Sequence, residues 1–170
     1  MERKDIITFK GQRFTLIGTP VTNGDKAPNF NAVANDLSPR TLASYTDKVC
    51  VISVVPSLDT GVCDLQTKRF NAEAAALGDN VQVLTISCDL PFAQARWCGA
   101  TGTTNLETLS DHKDLSFGMA YGVLIKELRL LTRAMFVIDT SGTVVYTEIV
   151  PEVTNPVDFD AALAAARAAK

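Results

Sequence analysis

Val49-Cys50-Val51-Ile52-Ser53-Val54-Val55-Pro56-Ser57-Leu58-Asp59-Thr60-Gly61-Val62-Cys63 is the stretch on which the reading of this chain turns. Its first half is a short, β-branched apolar run ended by proline, the pattern of a strand buried on both faces in a parallel sheet. Its second half turns into a helix. Val62, Leu65, Phe70, Ala74 and Leu77 recur at loose helical spacing, with polar Gln66, Lys68, Arg69 and Glu73 between them. With Thr60 as the N-cap, Cys63 is the third helical residue, the place a capping-box carboxylate normally takes. Free backbone N–H groups and the positive end of the helix dipole favour an anionic sulfur there. The Thr60 hydroxyl and the local backbone are its expected donors, and Pro56, lacking an N–H, can wall the pocket without competing for the sulfur. On position alone a buried packing cysteine is an open alternative.

Outward from this stretch, residues 81–87 form a second apolar strand that closes a βαβ unit with a right-handed crossover. A short helix is expected from about Pro91, proline suiting the first helical position. Residues 6–9 and 13–16, joined by Lys10-Gly11-Gln12, read as an N-terminal hairpin spanning about residues 5–17. A turn-rich segment at 22–28 precedes a strand at 29–33, and residues 113–121 read as helical. Residues 134–138 and 143–148 flank Asp139-Thr140-Ser141-Gly142 as another hairpin. The last helix is expected to use Asn155 as cap and Pro156 as first residue. Asp158 then complements the dipole, and Phe159, Leu163 and Ala166 face inward. The fold class is α/β: a thioredoxin-like domain, a central mixed sheet flanked by helices, with the N-terminal hairpin as an extension. Residues 1–170 are expected to form one domain.

Composition narrows the function. Sixteen Lys and Arg against nineteen Asp and Glu give a net charge of −3 with no basic cluster, which argues against nucleic acid or an anionic membrane as partner. No apolar stretch reaches membrane-spanning length, and no apolar segment follows the charged Met1-Glu2-Arg3-Lys4-Asp5, so a cytoplasmic location is expected. The four cysteines, at 50, 63, 88 and 98, form no CxxC and no close-spaced ligand pair, so a zinc site is a poor reading. Reactive thiols among inert ones remain. Cys50 and Cys88 lie in apolar strand runs and read as inert. His112, the sole histidine, sits beside Asp111 in a polar turn with no motif tying it to Cys63, and Asp59 is expected to face solvent or cap the helix.

Three ordered motifs carry a family resemblance. Pro56-Ser57-Leu58-Asp59-Thr60-Gly61-Val62-Cys63 resembles the Pro-x-x-x-Thr-x-x-Cys peroxidatic motif of the peroxiredoxins, in its thiol peroxidase form. The segment 89–99, Asp89-Leu90-Pro91-Phe92-Ala93-Gln94-Ala95-Arg96-Trp97-Cys98-Gly99, resembles that branch's resolving-cysteine segment, and Arg133-Ala134-Met135-Phe136-Val137-Ile138-Asp139 its later strand. The resemblance covers essentially the whole chain.

It implies a peroxidase reducing hydrogen peroxide and organic hydroperoxides. Cys63 becomes a sulfenic acid, Cys98 condenses with it to a Cys63–Cys98 disulfide, and thioredoxin or a similar dithiol protein restores both. Arg133 is the expected second cation, pairing with the sulfur and stabilising charge on the peroxide oxygen, with Arg129 and Arg96 as alternatives if the register differs. A homodimer is also implied, and no metal, haem or flavin. A disulfide requires Cα atoms within about 7 Å, so the chain around both cysteines is expected to unwind in each turnover, carrying Trp97 with it. Cys98 as a packing thiol, a non-enzymatic redox sensor and a protein disulfide oxidoreductase are the competing readings.

Overall fold

The computed structural model describes residues 1–169. The run at 49–55 forms β5 (Val49–Val54), and every one of its residues is buried. Side chains alternate across the pleat. Cys50, Ile52 and Val54 enter a core with Phe30, Ile86, Leu109, Phe117, Tyr121 and Phe136, whereas Val49 and Val51 join Phe70, Met135, Val137 and Leu163 on the opposite face. Two apolar layers over one strand explain why its sequence is a continuous hydrophobic run rather than an alternating one.

After β5 comes α1 (Gly61–Leu77), then β6 (Val81–Ser87), paired parallel to β5. Next are α2 (Pro91–Thr101) and β7 (Glu107–Ser110), which extends the parallel set. On the other side, β9 (Ala134–Ile138) pairs antiparallel to β5, and β10 (Val144–Ile149) antiparallel to β9. With β3 (Ala32–Ala34) and β4 (Pro39–Arg40) on the far edge, the seven-stranded mixed sheet runs β10-β9-β5-β6-β7-β3-β4. The chain is therefore α/β with a central sheet flanked by helices, as expected.

The N-terminal hairpin is longer than the sequence suggested, β1 (Glu2–Phe9) and β2 (Gln12–Ile17), and its connection is tighter. Phe9 faces Gln12 across the ladder, so the loop has two residues, Lys10 at φ 52° and Gly11 at φ 77°. Two positive φ values are what a twist-matched two-residue hairpin requires. β2 also pairs with β8 (Leu124–Ile125), making a second, three-stranded sheet.

Three other expectations need correction. The strand at 29–33 shrinks to β3, and the helix at 113–121 to α3 (Ser116–Ala120). There the Asp111 carboxylate accepts the Phe117 and Gly118 N–H groups at 2.9 and 2.8 Å, so the side chain takes over the cap from within the preceding turn. The last helix, α4 (Phe159–Ala168), begins after Asp158, whose carboxylate caps the Ala161 N–H at 2.9 Å; Asn155 and Pro156 lie outside it. The later start leaves Val157 ahead of the helix, buried in the core. Leu163 and Ala166 face inward as expected, joined by Ala162, with Phe159 half-buried against them.

No helix among the described residues is long and apolar enough to cross a membrane.

Candidate functional site

Cys63 lies where β5 hands over to α1. Thr60 is the N-cap in extended conformation (φ −103°, ψ 144°), which makes Cys63 the third helical residue. The loop before it is tied down from the next strand–helix junction. Asp89 Oδ1 accepts from Ser57 Oγ at 2.7 Å, while Oδ2 accepts from the Leu58 N–H at 2.8 Å and from Ser87 Oγ at 2.7 Å. One carboxylate therefore holds both the loop that leads to Cys63 and the end of β6.

The sulfur is fully buried and receives two donors: Thr60 Oγ1 at 2.7 Å and Arg133 Nη2 at 3.3 Å. Both are side chains, so the expected backbone share is not what the geometry provides among the described residues. Thr60 has a single hydroxyl proton and two acceptors in reach, the Ser57 carbonyl at 3.1 Å and the sulfur. An anionic sulfur takes that proton, whereas a thiol competes poorly for it.

Arg133 immediately precedes β9 and is only 2 % exposed. Its guanidinium is divided among three acceptors: Nε donates to the Val153 carbonyl at 2.8 Å, Nη1 to Gln66 Oε1 at 2.6 Å, and Nη2 to Cys63. No carboxylate forms an ion pair with it among the described residues. A buried cation needs a counter-charge or full hydrogen bonding, and the group in reach that can supply charge is the Cys63 sulfur.

In the sequence Gln66 reads as a polar residue between apolar ones, and Leu65 as part of the buried spacing. The structure reverses them. Leu65 is exposed, and Gln66 is buried at 1 % exposure, with Nε2 donating to Ser53 Oγ at 2.7 Å. Burying an amide is favourable here because its carbonyl meets Arg133 and its NH₂ meets Ser53. The signal was the spacing Cys63, Gln66, Thr67 and Phe70, one helical face on which two residues are polar.

A cavity of about 280 Å³ is lined by Thr60 and Arg133, the two donors to the sulfur. Pro56, Thr60, Gly61, Val62 and Arg133 line one side, and Phe9, Lys10, Val153 and Thr154 the other. The N-terminal hairpin thus walls the site, which the sequence did not indicate. Glu152 holds it there. Its carboxylate accepts from Thr8 Oγ1, the Lys10 and Gly11 N–H groups and both donors of Thr154, at 2.6–3.1 Å. These donors, the Thr154 hydroxyl first, hold the carboxyl well below the usual carboxylate range.

Cys98 lies in the last turn of α2, its carbonyl accepting from the capping Gly102 N–H. No disulfide joins it to Cys63. The two regions touch through Trp97, which packs with Val55, Leu58 and Cys63, with Cys98 against the same cluster. Trp97 Nε1 also donates to Asp64 Oδ1 on α1 at 3.0 Å.

The other candidates lie apart. Arg96 makes an exposed 3.6 Å ion pair with Asp59, which leaves neither for the sulfur, and Asp59 faces solvent as expected. Arg129 is at φ 56° in a turn, and the His112 ring bonds Ser110 Oγ rather than Cys63. Burial pushes the Cys50 thiol up to about 11 and the Cys88 thiol up to about 12.

The arrangement provides a buried sulfur, two donors to it and a cavity that both donors line. Comparison with known proteins agrees with this chemistry. The redoxin family model matches residues 22–165. The chain is 61 % identical over 163 residues to the thiol peroxidase of Halalkalibacterium halodurans, spanning 96 % of this chain and 98 % of that one. Against the thiol peroxidase of Bacillus subtilis the identity is 59 % over 162 residues, with 95 % and 96 % covered. Among solved structures, a peroxiredoxin-like protein from Aquifex aeolicus superposes with a TM-score of 0.90 at 38 % identity, covering 98 % of this chain and 96 % of that one.

Proposed function

This chain belongs to the redoxin family and is a thiol-dependent peroxidase of its thiol peroxidase branch, and from that premise we propose that Cys63 is the peroxidatic nucleophile and Cys98 the resolving thiol. The observation that carries the proposal is the Cys63 sulfur held between Thr60 and Arg133 beside a cavity.

The Cys63 thiolate attacks the terminal oxygen of a hydroperoxide. The S–O bond forms as the O–O bond breaks, giving Cys63 sulfenic acid and an alkoxide or hydroxide that takes up a proton and leaves as alcohol or water. Thr60 and Arg133 hold the sulfur, and charge shifts from sulfur toward oxygen as the bond forms. Arg133, already sharing its donors, can follow that charge without reorganising, and Pro56 closes one wall of the cavity. Cys98 then attacks the sulfenic sulfur, water leaves, and a Cys63–Cys98 disulfide results. A thioredoxin-type dithiol reduces it.

The position of Cys98 in the last turn of α2 supports local unwinding as the route by which the sulfurs meet, since helix ends open at least cost. We read residues 1–170 as one peroxiredoxin domain, because the hairpin is bonded to the chain after β10 through Thr8, Pro151 and Val153. The family resemblance favours a homodimer, and the charged start of the chain without a following apolar segment favours the cytoplasm. Exposed Leu65 and Phe92, on the two cysteine helices, offer apolar surface for a protein partner.

The test is peroxide consumption with thioredoxin, thioredoxin reductase and NADPH. Wild type should turn over repeatedly, Cys63→Ser not at all, and Cys98→Ser should lose thioredoxin-coupled cycling. Full activity in Cys63→Ser would overturn the assignment, and a single stoichiometric oxidation of the wild type would make the protein a sensor.

A further inference from the structure

Cys98 does not face the cavity beside Cys63. It lines a separate hollow of about 320 Å³ that shares no lining residue with the first. On that side its sulfur meets Thr108 Oγ1 at 3.5 Å and Asn35 Nδ2 at 4.0 Å. Thr108 lies on β7, is 1 % exposed, and donates its hydroxyl proton to Asn35 Oδ1 at 3.1 Å. Asn35 follows β3, which pairs with β7, so the sheet places the two side chains next to each other.

The direction of these bonds follows from proton counting. A threonine hydroxyl has one proton, and here Asn35 accepts it. The Thr108 oxygen is left as an acceptor, so the Cys98 S–H donates to it, and the Asn35 NH₂ lies at the outer limit of reach of the same sulfur. The Cys98 sulfur is thereby tied to β7 through Thr108 rather than joined to Cys63. To resolve a sulfenic acid it must leave this pair, and the opening of α2 must break these bonds as well as the helix end.

We propose that Asn35 and Thr108 form a latch on Cys98, positioning residues that set how long the Cys63 sulfenic acid lasts before it is resolved. The proposal rests on Cys98 being the resolving thiol. Two balanced reactions compete for the sulfenic acid. Attack by the Cys98 thiol forms the S–S bond and releases water, whereas a second hydroperoxide converts the sulfenic to the sulfinic acid and releases alcohol or water. A tighter latch slows the first and leaves the second untouched. The latch therefore determines the peroxide concentration at which the enzyme inactivates itself.

Trp97, the only tryptophan and the neighbour of Cys98, gives the readout. Reduced enzyme is mixed with hydrogen peroxide in a stopped-flow fluorimeter. The peroxide-dependent phase reports Cys63 oxidation, and the following peroxide-independent phase reports disulfide formation. In Thr108→Val the first phase should keep the wild-type rate and the second accelerate roughly two- to tenfold, the worth of one lost net hydrogen bond. The peroxide concentration that half-inactivates cycling enzyme should rise in proportion.

Thr108→Ser, which keeps the hydroxyl, should behave as wild type. Asn35→Ala, a change at a half-buried turn, should show a smaller acceleration, and the double variant should match Thr108→Val because both act through one hydroxyl. A second phase at or below the wild-type rate in Thr108→Val overturns the latch, as does one in Asn35→Ala if Thr108→Val fails to fold. Persistence of the second phase in Cys98→Ser would instead overturn the assignment of Cys98 as the resolving thiol.

Discussion

Arg133 and Cys63, 70 residues apart in sequence, are brought to 3.3 Å by the antiparallel pairing of β9 with β5. The guanidinium enters from just before the start of β9, the sulfur from the start of α1, and Gln66 one helical turn further on receives a second arginine N–H at 2.6 Å. Cation, sulfur and amide are therefore positioned by the start of one strand and the first turns of one helix. Substitutions at this junction should separate charge from geometry.

Thr60→Val removes the shorter of the two bonds to sulfur and keeps the shape. Hydrogen bonds to charged groups contribute roughly 1.5–3 kcal/mol, so the second-order rate with hydroperoxide should fall roughly 10- to 100-fold, with Thr60→Ser close to wild type. A Thr60→Val rate within a factor of roughly two of wild type, followed by Trp97 fluorescence, would count against the role given to this hydroxyl.

Gln66→Glu places a carboxylate on the Arg133 guanidinium, where it competes with the sulfur as counter-charge. Alkylation of Cys63 at neutral pH should slow, and peroxide reduction with it, while the fold is kept. Gln66→Leu leaves Arg133 Nη1 without its acceptor, a loss of about 1–3 kcal/mol readable in urea unfolding. Equal alkylation rates in wild type and Gln66→Glu would show that the amide is only packing.

Glu152→Gln puts an NH₂ group among five donors and should release the hairpin tip from the cavity. Amide exchange at Lys10 and Gly11 should rise at least roughly tenfold, and the hydroperoxide KM should increase, with little change in kcat. Because the folded carboxyl titrates below the unfolded one, the clamp is present above the unfolded value and fails only as pH falls below the ordinary carboxylate range. Unchanged exchange at both amides would refute the clamp.

Cys50 and Cys88, pushed up to about 11 and about 12 by burial, should be poor nucleophiles. At pH 8 roughly one in a thousand and one in ten thousand of these thiols are ionised. Iodoacetamide on native reduced protein should label Cys63 before either, and both should label only after unfolding. Early adducts on Cys50 or Cys88 in a peptide map would contradict this.

Asp111 is buried and its carboxyl is raised to about 6, chiefly by desolvation against the gain from two backbone N–H bonds. The folded value exceeds the unfolded one, so its contribution is fully present below about pH 4 and is lost as pH rises through about 6. The stability of wild type minus that of Asp111→Asn should fall by up to about 3 kcal/mol between pH 4 and 7 in urea titrations. A difference independent of pH would rule this out.

Much of the site was legible because local rules are strict. A β-branched run ending in proline, then threonine three residues before cysteine, specified the strand, the cap and the third helical position without tertiary information, and α1 begins after Thr60 as that reading requires. The face of α1 was misread for an equally physical reason. Hydrophobic spacing favours Leu65 over Gln66, and only a partner from elsewhere makes a buried amide favourable. The last helix was misplaced by three residues because Asn155 and Asp158 are both competent caps. What decides between them is the burial of Val157, which the local sequence does not contain.

By itself, then, the sequence determined the α/β order of elements and the placement of Cys63 at a helix start, both consequences of short-range periodicity and capping. Tertiary structure alone decided that Gln66 shares Arg133 with the sulfur, that the hairpin and Glu152 wall the cavity, and that Cys98 faces Thr108 and Asn35. Those relationships depend on strand register and on which buried polar groups find partners, and both are fixed when distant segments pack together.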